Sequence, residues 1–168
     1  FTGGTAGGRA VAAVAARKVK PVVMELGGKS PQIIFPDADL DLAVNGVASG
    51  IFPPGGQSCI SGTRILVHQD IIAKFTARLA ELAGRARVGP PDDPNSQIGP
   101  MANRPHYEYV LSSIEAAVKA GQELVLDGRS ECRERGYFIG PTIFANVPNE
   151  SDLAQNEVFG PVASTEAW

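Results

Sequence analysis

The sequence predicts an α/β protein with a mostly parallel sheet. Short apolar runs bounded by glycine or proline, typical of strands, alternate with stretches of about ten to fifteen residues in which apolar side chains recur at helical spacing. The 168 residues are 43% hydrophobic and 20% charged, which suits one core of ordinary domain size. In such proteins ligands collect at the carboxyl ends of strands, so we expect function in the loops that follow them.

The first part of the chain predicts a helix, two strands and a second helix. An alanine-rich stretch over about residues 5–18 has an apolar face and ends in basic residues, which stabilise the negative pole of a helix dipole. The apolar runs 22–26 and 32–35 are each closed by glycine or proline and predict strands. Asp37 can then cap a helix whose buried stripe continues to Ile51.

The middle of the chain continues this alternation. Residues 64–67 predict a strand, and Asp70 opens an amphipathic helix. Prolines and a lack of periodicity predict a long loop over residues 88–105. A further helix over about residues 104–120 ends at Gly121, a typical C-terminal stop.

The last third predicts further strands around a polar loop. Residues 124–126 form a strand candidate and residues 128–136 the loop. Three more strand candidates follow at 137–139, 142–144 and 162–164.

Composition excludes several classes of partner. The net charge of −3 gives no electrostatic reason to expect nucleic acid or an anionic membrane. No apolar run approaches the roughly 18 residues of a membrane span, and no histidines or cysteines occur at metal-ligand spacing. Two cysteines make no disulfide framework, which fits a reducing compartment such as the cytoplasm, and Cys132 lies among charged residues without a predicted role.

A glycine-rich turn, residues 1–9 (FTGGTAGGR), leads into the first helix. Such a turn offers unpaired N–H groups and a positive dipole end to a phosphate. Its spacing imitates a P-loop, but Arg9 and Ala10 stand where lysine and serine or threonine are required, so an NTPase is excluded. A helix-starting turn without a ligand remains the alternative.

A carboxylate lies at the end of the strand over residues 22–26. Glu25 follows apolar residues, and acidic side chains are rarely fully buried unless they are paired. Glu25 is therefore either an outward-facing strand residue or a partly buried carboxylate that serves as a general base.

Cys59 lies in a loop of glycine, proline and small polar residues, 53–62 (PPGGQSCISG). A cysteine kept for packing is usually surrounded by aliphatic side chains, whereas a nucleophilic thiol needs donors that stabilise its anion, and loop N–H groups are such donors. The chain between Glu25 and Cys59 is long enough for one strand and one helix, so both residues can return to the same end of a sheet. A loop cysteine without function is the alternative.

Together these segments resemble the NAD(P)-dependent aldehyde dehydrogenase family. Residues 1–8 are similar to its nucleotide-contacting turn, residues 25–31 (ELGGKSP) to its glutamate signature, and residues 56–59 (GQSC) to its nucleophile signature. Residues 157–162 (EVFGPV) are similar to the segment that meets the cofactor, and residues 140–142 (GPT) to one just upstream. The resemblance covers essentially the whole chain.

The resemblance implies an aldehyde-dehydrogenase-like three-layer α/β fold that is incomplete here. Residues 1–27 would be the C-terminal tail of the dinucleotide-binding domain, and residues 28–168 the catalytic domain, truncated at its C-terminal end. The fragment alone would then be inactive, and the full-length protein would be a homo-oligomer.

The resemblance also implies a reaction in which an aldehyde is oxidised to a carboxylic acid. The Cys59 thiolate would attack the aldehyde to give a thiohemiacetal, hydride transfer would leave a thioester, and Glu25 would activate the water that hydrolyses it. The cofactor, NAD or NADP, would lie against Gly3, Gly4 and Leu26, with Glu157 holding ribose hydroxyls and Phe159 beside the nicotinamide. Neither the cofactor choice nor the aldehyde can be deduced from these residues.

Two alternatives stay open. One is a cysteine hydrolase or acyl transferase that uses Cys59 and Glu25 without nicotinamide. Such enzymes usually pair cysteine with histidine, yet His68 and His106 have no recognisable catalytic context. The other is a non-catalytic structural module.

Overall fold

The computed structural model describes residues 1–168, which form seven strands and five helices. None of these helices combines the length and apolar character needed to cross a membrane. In chain order the elements are β1 (Thr2–Gly3), α1 (Thr5–Arg17), β2 (Glu25–Leu26), β3 (Pro31–Ile34), α2 (Leu40–Ile51), β4 (Arg64–Val67), α3 (Ile72–Gly84), α4 (Arg104–Lys119), β5 (Glu123–Leu126), a 3₁₀ turn (Gly128–Glu131), β6 (Thr142–Ala145), α5 (Asp152–Gln155) and β7 (Val162–Ala167).

The main sheet has five strands in the order β3-β4-β7-β6-β5. All neighbours are parallel except β5 and β6, which are antiparallel. A separate two-stranded parallel ladder joins β1 to β2. The prediction of a mostly parallel α/β architecture is therefore confirmed.

Helices cover both faces of the sheet. Successive residues of a strand point to opposite faces, and in β6 Ile143 belongs to one buried cluster and Phe144 to the other. The first cluster joins the sheet to α2 and α3, and the second joins it to α4 and α5. These three layers are the arrangement that the resemblance implied.

Two strand predictions are wrong in extent or in kind. The run 22–26 contributes only Glu25 and Leu26 to a ladder, because its partner β1 is two residues long, and Val22 and Val23 are exposed. Residues 137–139 form no strand. Phe138 and Ile139 are buried in the two different clusters, so their apolar character reflects packing without a ladder.

Helix starts also differ from the predictions. Asp39, not Asp37, caps α2, and its carboxylate accepts hydrogen bonds from the N–H groups of two residues in the first turn. Asp70 does not cap α3, which begins at Ile72 without a side-chain cap. The C-terminal stop of α4 is confirmed, since Gly121 has φ +78°, a value that glycine adopts without strain.

Candidate active site

The short β1–β2 ladder brings the glycine-rich turn beside the glutamate segment. Thr2 pairs with Glu25 and Gly3 with Leu26. Gly8 of α1 packs closely on Leu26, because a Cβ at Gly8 would lie 2.7 Å from a methyl carbon of that side chain. Glu25 is exposed, as expected of an outward-facing strand residue.

The start of α1 is open to a ligand. Its N-cap is Gly4, which has no side chain to accept the first N–H groups, and the first turn contains no acidic residue. No heavy atom lies within 4 Å of the position that a Cβ would occupy at Gly4, whereas the Phe1 ring covers Gly3. Unpaired N–H groups and a positive dipole end in open space are suited to an anion such as a phosphate.

Two consecutive glycines shape the nucleophile loop. Gly55 and Gly56 have φ values of +64° and +65°, which side-chain-bearing residues rarely adopt. A Cβ at Gly56 would also overlap the backbone carbonyl of Gly160. Glycine is therefore required here because of the positive φ values and the close approach of Gly160. Cys59 follows on the exposed part of the loop.

Two glutamine side chains fix both ends of this loop. Gln57 donates to the Pro100 carbonyl (3.3 Å) and accepts from the Ala102 N–H (2.9 Å). Gln32 of β3 donates to the Gly62 carbonyl (2.8 Å) just before β4. Neither hydrogen-bonding role is evident from the sequence. The one available signal is that Gln57 follows Gly55 and Gly56 and belongs to the nucleophile signature, and nothing comparable marks Gln32.

The segment 157–160 lies between the glutamate and nucleophile segments. A Cβ at Gly27 would overlap the Glu157 carboxylate, so the missing side chain makes room for that acid. At its other end the segment contacts Gly56 through Gly160. Glu157 is half-buried, and Phe159 is partly exposed beside it.

Lys29 is a further residue of this region whose environment the sequence did not reveal. Its Nζ atom is buried and has no hydrogen-bond partner. Burial lowers the pKa of Lys29 from 10.5 to about 8, and the carboxylates of Glu166 and Glu157 oppose part of that shift. Glu166 is itself buried and held by Arg64, which donates from Nε to both carboxylate oxygens (3.1 and 3.0 Å).

The structure thus brings together the segments that contain the predicted site residues. Gly27 adjoins Glu157, Gly56 adjoins Gly160, and β1 pairs with β2. The two predicted reactive side chains do not contact each other by a hydrogen bond, and both Cys59 and Glu25 are exposed.

Comparisons with known proteins agree with this arrangement. The model of the aldehyde dehydrogenase family matches residues 1–167. Betaine aldehyde dehydrogenase of Brucella anthropi is 42% identical over 167 residues, which are 98% of this chain and 34% of that protein. Retinal dehydrogenase 2 of Homo sapiens is 43% identical over 163 residues, 96% of this chain and 31% of that protein.

Solved structures give the same result. The betaine aldehyde dehydrogenase of Staphylococcus aureus in complex with NAD+ superposes with a TM-score of 0.95 and 34% identity, covering 100% of this chain and 34% of that one. The NAD-dependent aldehyde dehydrogenase of Sinorhizobium meliloti gives a TM-score of 0.96 and 42% identity, covering 100% of this chain and 33% of that one. The chain spans about a third of the length of the curated relatives it matches. With its three-layer α/β fold and its adjoining signature segments, the chain belongs to the aldehyde dehydrogenase family.

Proposed function

We propose that the protein containing this chain oxidises an aldehyde to a carboxylic acid with NAD+ or NADP+. The observation that carries the proposal is the contact of three signature segments: Gly27 abuts the Glu157 carboxylate, and Gly56 abuts Gly160. The nucleophile loop, the glutamate strand and the cofactor-contacting segment therefore share one edge of the fold. We assign residues 1–27 to the end of a dinucleotide-binding domain and residues 28–168 to a catalytic domain.

Cys59 is the nucleophile in this proposal. Its exposed thiolate forms a bond to the aldehyde carbon, and the carbonyl oxygen becomes an anion that needs hydrogen-bond donors. The Cys59 N–H donates no hydrogen bond within the chain, so it is free to bind that oxygen. The product of this step is a thiohemiacetal on the sulfur.

Glu25 acts after oxidation has left a thioester on Cys59. Its exposed carboxylate takes a proton from a water molecule, whose oxygen bonds to the thioester carbon. The carbon–sulfur bond then breaks, the acid leaves, and Cys59 returns to its thiolate form.

The chain's residues fit a nicotinamide dinucleotide. The uncapped start of α1 at Gly3 and Gly4 suits a phosphate group, and the half-buried carboxylate of Glu157, which abuts Gly27, suits the hydroxyls of a ribose. Leu26 and Phe159 supply apolar surface beside them. The chemistry that this group supplies when bound is acceptance of a hydride.

The proposed partner is a small-molecule aldehyde, and we expect the full-length protein to be a homo-oligomer. Both cysteines are free, which supports a reducing compartment, and we place the protein in the cytoplasm.

A chimera tests the function. This chain replaces the matching third of the Brucella anthropi relative, and formation of reduced nicotinamide is followed with an aldehyde and either cofactor. We expect Cys59→Ser to lower kcat by about a thousandfold or more, since the nucleophile is removed, while the matched change Cys132→Ser leaves it unaltered. Glu25→Gln should slow steady turnover but spare a first burst of reduced cofactor.

Three results would count against the proposal. Equal effects of the two cysteine substitutions would remove the assigned nucleophile. Hydrolysis of a thioester without cofactor, together with no aldehyde oxidation, would favour the cysteine hydrolase. Absence of aldehyde oxidation with either cofactor in a folded chimera would remove the activity itself. Sustained turnover by the isolated 168-residue chain would leave the proposed function standing and would contradict only the expectation that the chain is inactive alone.

A further inference from the structure

Two side chains of α4 hold the backbone of segment 157–160. We infer that His106 and Tyr109 are positioning residues that fix Glu157 and Phe159 for cofactor binding. The inference rests on the proposed function, since it concerns the segment to which that proposal assigns cofactor contact. Neither side chain belongs to a signature segment, and His106 had no recognisable role in the sequence.

Hydrogen bonds join α4 to two main-chain carbonyls of the segment. His106 Nε2 donates to the Phe159 carbonyl at 2.7 Å, and the Tyr109 hydroxyl donates to the Glu157 carbonyl at 3.2 Å. Residues three apart lie on the same face of a helix, so the two donors reach the carbonyls of Glu157 and Phe159 in one irregular segment. Because both bonds end on main-chain oxygens, they fix the backbone of residues 157–160.

The held backbone includes an unfavourable conformation. Phe159 has φ +55°, a left-handed value that is uncommon for a residue with a side chain and persists where the surroundings enforce it. The bond from His106 is made to the carbonyl of this same residue. The two rings also meet edge to face, with centroids 5.7 Å apart, while His106 stacks on Tyr109 at 6.2 Å.

The helix that supplies the donors is itself fixed at this point. Asn103 caps α4 by accepting from the His106 N–H at 2.9 Å, so the residue whose ring holds Phe159 is anchored through its own backbone. One turn further, Val110 packs on Gly160, where a Cβ would lie 2.9 Å from the valine methyl groups. The segment is therefore held by α4 on one side and by Gly56 on the other.

The role does not require a change of charge on histidine. An imidazole donates from Nε2 both in the neutral Nε2–H form and in the protonated form. Glutamine has an amide N–H of similar reach, so His106→Gln should preserve the bond, whereas His106→Phe preserves the ring and removes the donor. His68, which lies against Trp168 and Asp70, offers a matched control.

The test measures cofactor binding and local opening of the segment, both in the chimera. Loss of one hydrogen bond corresponds to about a three- to tenfold effect. We expect His106→Phe and Tyr109→Phe each to raise the cofactor Kd by that factor. Amide hydrogen exchange should increase similarly at Val162, whose N–H donates to the Gly160 carbonyl (2.7 Å) and reports opening of the segment. In both phenylalanine variants the aldehyde KM and the rate of Cys59 alkylation should change by less than about twofold. His106→Gln should restore cofactor binding. His68→Phe should change neither the cofactor Kd nor the amide exchange.

The outcomes separate this inference from the proposed function. Unchanged cofactor affinity and amide exchange in His106→Phe would overturn the inference. A His106→Gln variant as impaired as His106→Phe would also overturn it, because ring packing and not the hydrogen bond would then explain the effect. If the unsubstituted chimera binds no cofactor, the proposed function fails, and the assignment of a cofactor-positioning role fails with it. Increased exchange rescued by glutamine would in that case still show that His106 holds the segment.

Discussion

Replacement of Lys29 by methionine should stabilise the chain at neutral pH. The Lys29 ammonium is buried without a hydrogen-bond partner, and burial is the largest cause of its lowered pKa. Methionine has an unbranched side chain of similar length and carries no charge, so it occupies the same space without the desolvation cost. Removing a charge from the interior is therefore expected to help the folded state, although Glu166 and Glu157 partly compensate for it.

The size of the effect follows from the pKa. Lys29 has a pKa of about 8 in the folded chain against 10.5 for the ordinary group, and each pKa unit corresponds to about 1.4 kcal/mol. Below pH 8 both folded and unfolded chains are protonated, so the cost of holding the charge is about 3 kcal/mol. Between pH 8 and 10.5 the unfolded chain binds more protons, and the stability of the unsubstituted chain rises with pH. The advantage of Lys29→Met should thus fall to about 1.4 kcal/mol near pH 9.5.

Urea denaturation followed by circular dichroism measures this difference. The unsubstituted chain and Lys29→Met are unfolded at pH 7 and at about pH 9.5, and the free energies of unfolding are subtracted at each pH. Other groups that titrate in this range cancel in the subtraction. Lys74→Met, at an exposed position of α3, controls for loss of a lysine and should change stability by less than about 0.5 kcal/mol at both values.

Two results would refute the reasoning. A Lys29→Met chain less stable than the unsubstituted chain at pH 7 would mean that the ammonium makes favourable interactions exceeding its desolvation cost. An advantage that stays constant between the two pH values would mean that the gain comes from packing and not from removal of a buried charge.

Two further predictions concern backbone positions. Asp39→Ala should lower the free energy of unfolding by about 1 kcal/mol, because it removes the cap of α2. Asp37→Ala should change this free energy little, and urea denaturation of both variants checks the difference. Gly56→Ala should lower the free energy of unfolding by about 2–4 kcal/mol, because the new Cβ overlaps Gly160 and the backbone has a positive φ. Gly46→Ala, at an open position inside α2, should instead raise it by about 0.5–1 kcal/mol. Thermal unfolding distinguishes these opposite signs, and equal shifts in the two alanine variants would contradict the assigned roles.

Elements bounded by local signals could be predicted from the sequence. The strand over 64–67 has the predicted bounds, and the helix predicted over about 104–120 spans Arg104–Lys119. Strand pairing depends on partners far along the chain, which local patterns do not reveal. The strand predicted over 22–26 is therefore too long, and the strand predicted over 137–139 is absent. Both runs are apolar, but a strand also requires a neighbour with free N–H and C=O groups.

The segments that form the candidate site could be predicted from the sequence, but the buried contacts between them could not. The resemblance predicts roles for Glu25 and Cys59 from their neighbours in the sequence, and the structure brings the segments that contain them to one edge. The environment of Lys29 could not be predicted, because the carboxylate of Glu166 comes from β7, the last strand of the sheet. The donors of α4 were missed for a related reason, since a histidine at a helix start carries no signal of which carbonyl it will bind.

The close contacts of this site are made by backbone, and the proposed reactive groups are left free. Gly27 and Gly56 each lie where a Cβ would overlap a neighbouring segment, while Cys59 and Glu25 are exposed and share no hydrogen bond. Because the glycines fix the path of the chain, their loss should affect stability and chemistry together. The thiol and the carboxylate carry little of the packing, so their replacement should affect chemistry with little change in stability. The fold therefore separates the residues that determine the shape of the edge from those proposed to react at it.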